Sequence, residues 1–316
     1  MKKTKGRIGA KKKNGFLGEM KENYILYLMC VPALVLLFLF CYIPFTGIWM
    51  AFTDFNVVDG IFGSPFVGLK NFKFFFAKGG SGWRVTYNTL VINFWGIILG
   101  LIVPISIAVF FNEVKSKAYK KVTQSMMFFP YFLSWVVVGA IIYGFFSTDV
   151  GMVNNILESL GRDRISWYSQ PKYWKPIIIT ANVWKWSGYS SIVYMAAMSN
   201  FDNSLYEAAE VDGANRFQRI LHLTLPMLKP TAVVLTLMSI GRIFYGDFGM
   251  IYGIIGNNPV LADEVTVIDT YVYQSMRTLG FSYATAIGLF QSVMGLILVT
   301  FFNKLSKKIN EGEGLF

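Results

Sequence analysis

Histidine occurs once in the 316-residue chain, at His222, and cysteine twice, at Cys30 and Cys41. A single imidazole builds no His-based metal cluster and supports no Ser-His-Asp or Cys-His catalysis within the chain. No glycine is followed directly by lysine, so the phosphate-cradling G-x-x-x-x-G-K-[ST] loop is missing. Both cysteines lie inside the first long apolar run, and no disulfide framework is legible. No catalytic residue, metal site or cofactor is therefore predicted, and what remains is non-covalent chemistry. It resides in charges set within apolar stretches, namely Lys185, Arg242 and Asp247. Such charges cost about 2.5–3.5 kcal/mol in a membrane and usually face an aqueous cavity or a partner. The plainer readings carry weight too: Lys185 can snorkel or pair across an interface, and Arg242 and Asp247 can pair with each other or with a second subunit.

The elements that hold these residues are set by lipid. The chain is 54% hydrophobic and 15% charged, against nearer a quarter charged in soluble domains. A net charge of +11 does not point to nucleic acid, because the basic residues cluster between long apolar runs as in membrane loops. A bilayer core of about 30 Å needs about 20 apolar residues as helix. Six stretches meet that length: Tyr24–Phe52, Val85–Phe111, Val122–Phe146, Pro176–Ser199, Thr231–Ile255 and Phe281–Asn303. The first is too long for the core of a secretory signal and is read as a retained helix. Pro32, Pro44, Pro104 and Pro130 predict kinks. The expected organisation is a basic tail over residues 1–23, an all-α six-helix membrane unit over 24–303, and a tail over 304–316. Lysines and arginines place both tails, the Lys115–Lys121 loop and the loop before the fifth span on one side, predicted cytoplasmic. Aromatic and Gly-rich segments such as Phe72–Phe76 and Gly79–Gly82, with Trp167, Tyr168, Tyr173 and Trp174, fall on the other. No internal repeat of the kind that marks many secondary transporters is visible.

The cytoplasmic loop over 202–226 is the informative one. Ser204 and Glu207 have capping-box spacing, so a helix is expected to begin at Ser204. Ala208 and Ala209 propagate it, and Gly213 ends it by admitting a left-handed residue. A second short helix runs from Asn215 to about Leu223, and Pro226 closes it before the fifth span. The expectation is a rigid helix–turn–helix along the membrane surface, fit to transmit force to a soluble partner.

Glu207-Ala208-Ala209, then Asp212-Gly213-Ala214, then Leu225-Pro226 resembles the EAA loop of binding-protein-dependent importers of the ATP-binding cassette superfamily. Trp184-Lys185-Trp186-Ser187-Gly188 with Ala196-Ala197 is similar to the fourth span of maltose-type sugar permeases. The segments 267–273 and 281–290 are similar to polysaccharide-uptake permeases of Gram-positive bacteria. One departure is Phe201-Asp202 where sugar permeases often carry Ile-Pro. The resemblance covers about residues 24–308. It implies a type I importer permease fold with a cytoplasmic coupling helix, in a bacterial cell membrane. It also implies the partners: a second homologous permease, two ATPase subunits that bind ATP and Mg, and an extracellular solute-binding lipoprotein. By position, Glu207 would contact the ATPase and Gly213 would allow the sharp turn. An oligosaccharide or complex glycan is the implied cargo, and sugars present apolar C–H faces beside many hydroxyls. Trp184, Trp186, Tyr189, Tyr194 and Tyr245 then join Lys185, Arg242 and Asp247 as candidates for its path, although at 17% aromatic any single ring is more often packing. An ion-coupled secondary transporter is the alternative, with Asp247 as its one good acidic candidate and the EAA-like loop left unexplained.

Overall fold

The computed structural model describes residues 16–77, 80–114 and 116–309. The basic residues ahead of Phe16, Lys78, Gly79, Lys115 and the tail beyond residue 309 lie outside the described residues. Apart from one isolated bridge between Thr53 and Phe66, the regular structure among the described residues is helical. Lipid offers no partner to backbone polar groups, so apolar segments of this length close their hydrogen bonds internally.

Among the described residues, four helices are long and apolar enough to cross a membrane. They are Tyr24–Phe52 (α1), Gly82–Glu113 (α2), Arg216–Gly241 (α7) and the Phe281–Leu305 portion of Phe281–Ile309 (α10). Between them in the chain lie Lys117–Phe132 (α3), Trp135–Phe146 (α4), Trp174–Met198 (α5) and Asn203–Val211 (α6). Phe248–Ile255 (α8) and Ile268–Thr278 (α9) follow α7.

Two expectations about the spans need correction. The stretch Val122–Phe146 is not one rod: α3 and α4 meet at a bend of 102°, and together they add at most a fifth span. Ser134 starts α4 by accepting from the Val137 N–H, and Pro130 stands one turn before the bend. The stretch Thr231–Ile255 is also interrupted. α7 stops at Gly241, residues 242–247 are irregular, and α8 restarts at Phe248 with Asp247 as its N-cap. The fourth stretch forms α5 with 25 residues, yet it is less apolar than the four spans above. Polar groups along it are buried by neighbouring helices instead, Lys185, Ser187 and Ser191 among them.

The core forms around α5. It packs most extensively on α2, and α3 crosses it so closely that a Cβ on Gly188 would sit 2.0 Å from the Met127 carbonyl oxygen. One apolar cluster joins Ile92 of α2, Val138 and Ile142 of α4, Ile178 of α5 and Ile251 of α8. A second gathers Phe75, Phe244, Ile268 and Ile287, and a third Ala108, Tyr194, Met198 and Leu228. By contrast, none of the most apolar 18-residue stretch of α1 is buried by the rest of the chain.

Candidate functional site

Two constructions draw on the residues singled out above. The first is the elbow between α5 and α7. α6 begins not at Ser204 but at Asp202, whose side chain accepts from the Ser204 N–H at 2.9 Å. Both residues are good N-caps, and the structure uses the earlier one. That hydrogen bond holds the exposed Asp202 carboxyl below the usual carboxylate range. The expected Ser204–Glu207 capping box is therefore absent, and Glu207 stays exposed with no hydrogen bond or ion pair among the described residues.

At the other end of α6, Ala214 N–H reaches the Ala209 carbonyl at 2.9 Å and Gly213 N–H reaches that of Glu210 at 3.1 Å. This reciprocal closure needs a left-handed residue, and Gly213 supplies it with φ of 81°. α7 then starts with a capping box of its own, in which Asn215 accepts from Gln218 N–H and Gln218 accepts from Asn215 N–H. The second helix does not end at Pro226. It widens to a π turn over Ile220–Thr224, takes Pro226 near the start of the following regular turns, and continues to Gly241 as one element. Proline is accepted there because the wide turn has already disturbed the hydrogen bonds its ring would remove. Two links cross the elbow, Arg219 to Glu210 at 2.7 Å and Tyr206 hydroxyl to Thr224 Oγ1 at 3.0 Å. Val211 and Phe217 project from its tip, 88% and 71% exposed. An elbow continuous with a span, pinned on its inner side and apolar at its tip, can carry force from one side of the membrane into the bundle.

The second construction is a polar cavity of about 340 Å³ between α2, α5 and the break after α7. Asn93, Gly96 and Gly100 come from α2, Asn182, Trp186 and Ser190 from α5, and Ser239, Arg242 and Tyr245 from α7 and the break. A neighbouring cavity of about 240 Å³ shares several of these residues and reaches Tyr194 and Thr236. Side chains on three other elements hold the broken backbone. Asn93 donates to the Ile243 and Tyr245 carbonyls at 2.7 and 2.9 Å, and Gln291 donates to the Phe244 carbonyl at 2.9 Å. Asp269 accepts from the Gly246 N–H and from Gln291. Three carbonyls and one amide of the broken backbone are thus satisfied.

The candidates for the cargo path separate. Trp186, Arg242 and Tyr245 line the larger cavity, and Tyr194 the smaller. Trp184 instead lines an apolar groove against α4, and Tyr189 stacks on Tyr131 at 4.3 Å. Asp247 accepts from Trp135 Nε1 at 2.7 Å and from the Met250 N–H at 2.9 Å, which ties α4 to α8, and it makes no pair with Arg242. Lys185, 5% exposed, donates to the carbonyls of Pro130, Tyr131 and Leu133 at 3.3, 2.8 and 2.6 Å. Those carbonyls lie at the end of α3, where that of Pro130 also accepts from the Leu133 N–H, and the ammonium caps the 102° bend. Sequence reasoning missed Asn93, Asn182, Ser190, Ser239, Gln291 and Asp269. Isolated Asn and Gln residues in otherwise apolar spans were the available signal.

A family described as binding-protein-dependent transport system inner membrane component matches residues 93–311. Protein LplB of Bacillus subtilis is 35% identical over 302 residues, which cover 95% of this chain and 94% of LplB. The polygalacturonan/rhamnogalacturonan transport system permease protein YteP of the same organism is 35% identical over 306 residues, covering 96% and 94%. A chain of a bacterial alginate ABC transporter, crystallised in complex with an alginate pentasaccharide-bound periplasmic protein, superposes with a TM-score of 0.84. It is 34% identical, over 96% of this chain and 100% of that one.

Proposed function

The chain belongs to the binding-protein-dependent transport system inner membrane components, and on that premise we propose that it forms half of the translocation pore of an ATP-driven importer of oligosaccharides or complex glycans. The observation that carries this reading is the elbow at 202–226. It leaves Glu207 unengaged beside an exposed apolar tip and runs without interruption into a membrane-spanning helix.

The mechanism follows from stiffness. Separate ATPase subunits bind ATP and Mg and receive the elbow, with Glu207 and the Val211–Phe217 tip as the contact. Their closure displaces α6, and the Arg219–Glu210 and Tyr206–Thr224 links prevent the elbow from yielding. α7 then moves with it and carries the wall of the polar cavity, so the site exchanges sides as a rigid-body step. A second homologous permease supplies the other half of the pore, and an extracellular solute-binding protein delivers cargo. α5 is the sixth span, its polar face turned to the cavity and its buried polar groups satisfied within the bundle. Both termini are cytoplasmic, as the lysine and arginine distribution implies. The chain itself catalyses nothing.

The reading of an ion-coupled secondary transporter finds no support among these relatives. Co-purification of the chain with an ATPase, followed by glycan-stimulated ATP hydrolysis in proteoliposomes, is the test. Uptake of glycan with no ATPase bound overturns the proposal.

A further inference from the structure

Among the described residues, Arg242 is the one cation lining the polar cavity, and no carboxylate lines it. Its guanidinium enters no ion pair among the described residues. The two carboxylates that flank the break are committed elsewhere. Asp247 holds Trp135 and caps α8, while Asp269 holds Gly246 and Gln291. A cation at membrane depth is retained only where something offsets its cost. Its position at the C-terminal end of α7 helps, because the helix presents partial negative charge there, but that contribution is small. Beside it stand the rings of Trp186 and Tyr245, both about two-fifths exposed, and the amide of Asn182. Tyr245 is held in place by its hydroxyl, which donates to Ser292 Oγ at 3.1 Å. A planar guanidinium fork matches a carboxylate, and flat rings match the C–H face of a pyranose.

Resting on the reading of the chain as a glycan importer permease, we propose that this cavity contains an anionic subsite in which Arg242 holds the carboxylate of a uronate unit while Trp186 and Tyr245 support its ring. The cargo is then an acidic oligosaccharide, and the acidic units are those read at the midpoint of transport.

The test uses the complete importer, purified with its second permease and ATPases in lipid nanodiscs. Tetragalacturonate and its carboxyl-reduced counterpart are titrated calorimetrically into the wild type, Arg242→Gln and Arg242→Lys. The wild type is expected to bind the acidic sugar at least about tenfold more tightly, Arg242→Gln to bring the two within about twofold, and Arg242→Lys to keep part of the difference. Equal affinities in the wild type, or an undiminished difference in Arg242→Gln, overturn the subsite. So does loss of the second permease from the Arg242→Gln complex on size exclusion, since the cation then serves the subunit interface. ATP-driven uptake of both sugars is followed in proteoliposomes alongside. Equal uptake with equal affinity refutes the subsite and leaves the importer standing, whereas no uptake of either refutes the importer reading and the subsite with it.

Discussion

Replacing Gly213 tests the elbow with little steric ambiguity. Its φ of 81° is left-handed, and a Cβ added there would meet nothing within 4 Å. Any penalty for a side chain is therefore one of backbone conformation. For a non-glycine residue it is about 1–2 kcal/mol, with the β-branched Val at the upper end. Two kcal/mol shifts the balance between the closed elbow and a locally opened one by about thirtyfold. Asn adopts the left-handed region far more readily and keeps most of the elbow in its closed form. The assay is the ratio of glycan imported to ATP hydrolysed in proteoliposomes. Gly213→Val is expected to hydrolyse ATP with a large loss in that ratio, and Gly213→Asn to stay near the wild type. Wild-type coupling in Gly213→Val refutes the argument. Equal damage in Asn and Val variants also refutes it, because the cause is then a contact at this position and not the backbone angle.

Other outcomes follow from the same geometry. Lys185→Met strands the Tyr131 and Leu133 carbonyls at the α3–α4 bend, at about 1–3 kcal/mol each. Part of that is recovered because no ammonium is embedded, so a net loss of about 1 kcal/mol is expected as a slightly lower unfolding temperature of the purified complex. Gly188→Leu drives a side chain into the Met127 carbonyl and separates α3 from α5, with a cost of about 3 kcal/mol or more read in the same melt. Gly100 lines the cavity and a Cβ there would meet nothing within 4 Å, so in Gly100→Leu assembly is expected to persist while glycan uptake falls at least about tenfold. Asp247→Ala removes the cap of α8 and its bond to Trp135, at about 1–2 kcal/mol for the cap alone, and lowers both the melting temperature and uptake.

What the sequence could and could not disclose follows from the physics of each element. Apolar length is additive, so α1, α2 and α10 are legible from hydropathy with only their ends uncertain. The breaks are not, because an average over 18 or 20 residues runs straight through Leu133–Ser134 and through 242–247. A closer reading of Gly241, Gly246 and Asp247 as stop and start signals would have found the second break. Gly213 was legible because only one residue type relieves its backbone angle. The cap of α6 was misplaced because Asp202 and Ser204 are equally able acceptors, and choosing between them requires the preceding chain direction. Pro226 was read as a terminator because a π turn leaves no mark in composition. The cavity could not be assembled in advance, since Asn93, Asn182 and Ser239 are small polar residues brought together from positions many tens of residues apart.

The segment at 242–247 is gripped by its main chain: Asn93 and Gln291 take its carbonyl oxygens, and Asp269 takes an amide. None of those holds depends on which side chains the segment carries at positions 242 and 245. Substitution at these two positions can therefore alter the lining of the cavity while the frame around it stays put.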